Sequence, residues 1–159
     1  MRQRLATFVH ESLLRGESAT GLARALAIGA YVAFSPFIGM HTLMLIGIAW
    51  GFRLNFMLML IFSNIINNPW TLVPVYAAGY ACGQALLSYT YGHAILLHNP
   101  SWMDSINVWL GSTLGVGQIS FWAFMLGGNI LGALIACIVY PIAKLCIIRI
   151  AHTYNLTTS

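Results

Sequence analysis

The residues able to do chemistry gather at two short interruptions of an otherwise apolar chain. One is the stretch Ser35-Pro36-Phe37-Ile38-Gly39-Met40-His41-Thr42, and the other is Asn64 followed by Asn67-Asn68-Pro69-Trp70-Thr71. Pro36 and Pro69 carry no backbone N–H and push the preceding residue out of helical geometry, so a helix must stop at each. Helices restarting near His41 and Thr71 would each offer free backbone N–H groups and a partial positive charge, which suits an anionic group. His41, Thr42, Asn64, Asn67, Asn68 and Thr71 therefore form a candidate ligand-binding set, with Pro36, Gly39 and Pro69 as the structural breaks. A plainer role competes with this one. Asn and Pro in apolar helices also serve as kinks and interhelical hydrogen-bond partners, at under about 2 kcal/mol per contact, and His41 can cap or pack. The two readings part on one point: binding needs a polar, hydrated cavity at the breaks, whereas a kink is filled with packed side chains.

Catalysis is poorly provided for. The acids are Glu11, Glu17 and Asp104, all near the edges of apolar segments, so no buried carboxylate pair is expected for acid–base work. The five histidines and three cysteines lack metal-ligand spacing. Cys82, Cys137 and Cys146 read as small buried hydrophobes. His93, His98 and His152 fall in interfacial loops. No catalytic residue, metal or cofactor is assigned, and the protein is expected not to be an enzyme. The net charge of +4 forms no dense basic patch, which argues against nucleic acid.

The elements that must hold these residues are set by composition. Of 159 residues, 59% are hydrophobic and 6% charged, against about a quarter charged in a soluble domain. The runs 25–52, 54–103 and 105–143 contain no charge, and each exceeds the roughly 20 residues needed to cross a hydrocarbon core. The expected fold is an all-α integral membrane protein forming a single domain. Residues 1–16 read as an amphipathic interfacial helix, with Leu5, Phe8, Val9 and Leu13 on one side and Arg2, Arg4, Glu11 and Arg15 on the rest. Those charges also make a cleaved signal peptide unexpected.

Residues 18–91 read as two broken-helix units. Ser18 caps a helix running through Leu22–Phe34, and a second begins at His41 and continues to Trp50. At about 10–14 residues each, these reach roughly 15–21 Å, short of a core of about 30 Å. Arg53, a lipid-headgroup and topology marker, favours a re-entrant hairpin that returns to the side of the arginine-rich N-terminus. Asn55–Ile66 and Trp70–Tyr91 make the second unit, with Asn55 as a cap and Gly79 and Gly83 as a close-packing pair. Residues 92–117 form a polar interfacial linker in which Trp102, Ile106, Trp109 and Leu110 suit a short interfacial helix. Residues 118–150 form a C-terminal membrane helix or hairpin, with Gly127-Gly128-Asn129 and Gly132 as its expected weak point. The arginine-rich start places the N-terminus, and Lys144, Arg149 and His152 the C-terminus, on the cytoplasmic side.

The patterns Pro36-x-x-Gly39-x-His41, Arg53-x-Asn55, Asn68-Pro69-x-Thr71 and Pro74-Val75-Tyr76 occur in the order of a known signature. The chain resembles the small bacterial membrane family called domain of unknown function 2062. That resemblance implies a multi-pass protein of the bacterial inner membrane. Some relatives look like extensions of glycosyltransferases, which hints at lipid-linked sugar metabolism. The expected function is a transporter or flippase-type protein for a small anionic or phosphate-bearing lipid headgroup, such as a phospholipid or polyprenyl phosphate. Its expected partners are membrane lipids and a second copy of itself. The alternative is a non-transporting scaffold for a glycosyltransferase or another membrane enzyme.

Overall fold

The computed structural model describes residues 17–37, 39–91, 99–115 and 119–153, and the proposed N-terminal amphipathic helix lies outside them. The described residues are all-helical. Six helices follow in order: α1 Ala19–Phe34, α2 His41–Phe52, α3 Phe56–Ile66, α4 Leu72–Tyr91, α5 Ser101–Leu114 and α6 Phe121–Thr153. Local chemistry accounts for most of the boundaries. Ser18 accepts the Gly21 N–H at 3.0 Å and starts α1. Ser35, extended ahead of Pro36, ends it. Asn55 accepts the Leu58 N–H at 2.9 Å and starts α3.

Helix α6 is the spine. It is the one helix among the described residues long and apolar enough to cross a membrane. Its 33 residues rise about 50 Å. Leu126, Leu134, Ile138, Ile142 and Leu145 stand exposed along it. The apolar helices α1, α2 and α3 are shorter, so the long charge-free runs of the sequence are divided among several helices.

Helix α1 is antiparallel to α6. Its start packs on Ile147 and Ala151, and its end meets Gly128 and Gly132. A Cβ on Gly132 would come within 2.9 Å of the Tyr31 carbonyl, so small residues allow the backbones this near. The Tyr31 hydroxyl donates to Asn129 Oδ1 at 2.7 Å and ties the two helices. Helix α4 meets the first half of α6. Gly79 faces Gly128, and a Cβ on Gly83 would overlap the Ala123 carbonyl.

The sequence expectation of a weak point at Gly127-Gly128-Asn129 and Gly132 is not what the structure contains. The helix runs unbroken through them, because these glycines form the seam against α1 and α4. The C-terminal segment is one helix, not a hairpin.

The other side of α1 carries Ala25 and Val32, which join Leu45, Ala49 and Met59 in a second core. Helix α1 is thus covered on two sides, and Arg24 is its exposed residue. Helix α2 runs back along it, so that Arg53 and Leu54 return to the cleft of Glu17 and Ser18. Helix α3 then follows α1 in the same direction, with Met59 against Gly29. Away from this core, Leu43, Ile46, Trp50, Met57, Ile61 and Ile65 are exposed.

Candidate functional site

The two breaks lie at the same end of the α1–α2–α3 cluster, opposite the turn at Arg53. At the first, Ser35 is fully buried and its N–H reaches the Tyr31 and Val32 carbonyls, both at 3.1 Å. Gly39 adopts φ +83°, a conformation that favours glycine, and reverses the chain into α2. His41 Nε2 lies 2.9 Å from the Ser35 carbonyl. A carbonyl only accepts, so Nε2 donates and Nδ1 remains for another partner. Met40, which precedes α2, makes no side-chain capping bond to that helix.

At the second break, Asn67 ends α3 and its side-chain amide donates to the Tyr76 hydroxyl at 3.3 Å. Its Oδ1 is buried and has no hydrogen-bond partner among the described residues. Tyr76 in turn meets the Phe124 ring edge-on, with centroids 5.6 Å apart.

These two ends enclose one polar cleft of about 160 Å³, lined by His41, Thr42, Leu45, Leu60, Ser63, Asn64 and Asn67. Four of the six candidate ligand residues, His41, Thr42, Asn64 and Asn67, therefore meet in a single site. It has room for about five waters, or for one phosphate-sized group. Asn64 is exposed and its amide donates to the Leu60 carbonyl at 2.8 Å.

Asn68 and Thr71 do not join them. Asn68 Oδ1 accepts the Trp70 and Thr71 N–H groups at 2.9 and 3.1 Å. The Asn68 amide nitrogen donates to the Ile65 carbonyl at 3.1 Å. Thr71 Oγ1 accepts from the Asn68 N–H and donates to the Ile66 carbonyl. The Leu72 N–H is bonded to the Asn68 carbonyl at 2.8 Å. The N-terminus of α4 is therefore satisfied by its own turn, and of the two helix starts it is α2 that opens on the cleft.

Arg53 sits elsewhere, in a second cleft of about 330 Å³ with Glu17, Ser18, Gly21, Leu54 and Asn55. It is the one non-glycine described residue at positive φ (51°), closing α2 in the left-handed conformation. Asn55 donates to Glu17 Oε1 at 2.8 Å, which ties the start of α3 to that of α1.

Ser63 lines the polar cleft but does not stand out in the sequence, where it is one small polar residue inside an apolar helix. Its signal is its spacing: it precedes Asn67 by one helical turn and shares that face. Tyr76 is visible in the sequence as part of the Pro74-Val75-Tyr76 pattern, but its bond to Asn67 depends on tertiary packing. Among the described residues, no three His, Cys, Asp or Glu side chains gather where they could hold a metal.

A family model described as "Uncharacterized protein conserved in bacteria (DUF2062)" matches residues 2–154, nearly the whole chain. No curated protein and no solved structure matches it.

Proposed function

This chain belongs to the DUF2062 family, and from that premise we propose that it is a multi-pass protein of the bacterial inner membrane that passes a small polar, phosphate-bearing lipid headgroup through the polar cleft. The observation that carries the reading is the cleft itself, set among apolar helices and lined by His41, Thr42, Ser63, Asn64 and Asn67. Irregular backbone at membrane depth is tolerated where protein buries it or a watery cavity lies beside it. Here α1 and α2 form a re-entrant hairpin, entering and returning on the side of Arg53. Helices α3 and α4 make a broken crossing, and α6 an unbroken one.

The cleft acts by hydrogen bonding and by the field of one helix start. The uncapped first turn of α2 offers N–H donors and partial positive charge to a phosphate oxygen. Thr42, Ser63 and Asn64 replace part of the headgroup's hydration, and His41 Nδ1 supplies a further contact. The protein catalyses no bond change in this reading. The exposed apolar side chains of α2 and α3 face lipid or a second copy.

The test is headgroup translocation in vesicles of phosphatidylethanolamine and phosphatidylglycerol. Fluorescent phosphatidylglycerol and polyprenyl phosphate serve as separate probes. Wild type should move one probe faster than empty vesicles do. His41→Ala and Asn64→Ala should lower the rate about tenfold, the loss of about 1.4 kcal/mol of transition-state stabilisation. Equal rates from wild type, both variants and empty vesicles would reject transport and leave the scaffold reading.

A further inference from the structure

Helix α5 is tied to the start of α6 by side-chain hydrogen bonds. Asn107, only 8% exposed, donates to the Ile119 carbonyl at 3.0 Å and accepts the Ile119 N–H at 3.0 Å. Asn99 donates to the same carbonyl at 3.1 Å and accepts the Phe121 N–H at 2.9 Å. Four hydrogen bonds thus fix the elbow between the two helices. Met103 and Asn107 face inward. Trp102, Ile106 and Trp109, at helical spacing on another face, are 54%, 41% and 60% exposed. Asp104, Ser105, Val108 and Ser112 are exposed outside that stripe, so its far face is polar but for Val108.

The stripe continues onto α6. Trp102 meets the Phe121 ring edge-on with centroids 5.3 Å apart, and Phe121 meets Trp122 in the same way at 5.5 Å. From Phe121 the helix then rises about 35 Å before its first charge at Lys144, close to the roughly 30 Å of a hydrocarbon core. Asp104 and Lys144 bracket a charge-free run. An aromatic helix sits at one end of this run and cations at the other.

We propose that α5 lies in the plane of the bilayer surface opposite Lys144, with Trp102, Ile106 and Trp109 inserted at headgroup depth, and that the Asn99–Asn107 elbow uses it to set the depth of α6. Tryptophan is favoured at this boundary because its ring is apolar while its indole N–H needs a polar partner. The polar side of the helix, with Asp104, faces water. The inference rests on the membrane reading proposed above.

The two ideas separate in one experiment on the full chain. Cys82, Cys137 and Cys146 are replaced by serine or alanine, and single nitroxide labels are introduced at Ser105→Cys, Ile106→Cys, Ser112→Cys and Leu134→Cys. The protein is reconstituted in phosphatidylcholine–phosphatidylglycerol vesicles and probed with oxygen, which partitions into lipid, and a nickel chelate, which stays in water. Position 134 should be reached by oxygen and shielded from nickel. Position 106 should favour oxygen at a shallower depth, and 105 and 112 should favour nickel. If 134 is open to nickel, the membrane reading fails and this inference with it. If 134 is deep but 106 is as open to nickel as 105, only the inference fails. It fails equally if 106 is closed to both probes, since protein then covers the stripe.

Discussion

Adjacent asparagines at the second break have opposite situations. The Asn68 side chain satisfies two N–H donors and one carbonyl within its own turn, whereas the buried Asn67 Oδ1 has no partner among the described residues. Asn68→Ala should therefore lower the thermal stability of the purified protein by about 1–2 kcal/mol, the usual loss for a capping side chain. Asn64→Ala, which gives up one exposed bond, should change it by under about 0.5 kcal/mol, and differential scanning fluorimetry would separate the two. Arg53 offers a test of the opposite sign. Its left-handed backbone costs a non-glycine residue about 1 kcal/mol, so Arg53→Gly should raise the melting temperature. What was legible in the sequence at this scale was local. The stops at Pro36 and Pro69 follow from the backbone of one or two residues, as do the caps at Ser18 and Asn55. The Asn55–Glu17 bond joins residues 38 apart and leaves no local trace.

Among the elements, propensity and packing pull in different directions. Glycine costs about 1 kcal/mol against alanine in an isolated helix, so Gly127-Gly128-Asn129 reads as a break. In α6 the same glycines admit Gly79, Gly83 and Phe34 at backbone distance, and the contact so gained outweighs the propensity. No pattern inside residues 118–150 reveals this, because the reason lies in α1 and α4. The pair Gly79–Gly83 does carry a readable spacing, and it proves to be half of that seam. Gly83→Ala should destabilise the α4–α6 pair by about 2–3 kcal/mol, since the added methyl meets backbone that cannot rotate away. The measurement is unfolding in mixed micelles, with Gly47→Ala on open α2 as the control, where the added methyl meets nothing and helix propensity should raise stability by up to about 1 kcal/mol. The elbow of α5 makes a similar test. Asn107→Leu removes a reciprocal pair and strands the Ile119 N–H, and should cost about 1–3 kcal/mol.

For the molecule as a whole, composition made the helical class legible and left the course of the chain open. Runs 25–52 and 54–103 are each long enough for one crossing, yet they are divided at Pro36 and Pro69, and the path is decided by which ends meet. Arg53 returns to Glu17. In the proposed topology, single cysteines at Arg53 and His152, in a background without the three native ones, should react with an impermeant maleimide from the same side of the membrane. A cysteine at Ser105 should react from the other. Labelling of position 53 from the side of position 105 would make α1 and α2 a full crossing.

The bond from Tyr31 to Asn129 also bears on how the protein is made. It joins residues 98 apart, and at about 5–20 residues per second the ribosome needs some 5–20 s to supply the second after the first. Over that interval the alanine-rich flank of α1 has no partner from α6. A nascent chain arrested before residue 119 would keep that flank open, within reach of chaperones and proteases.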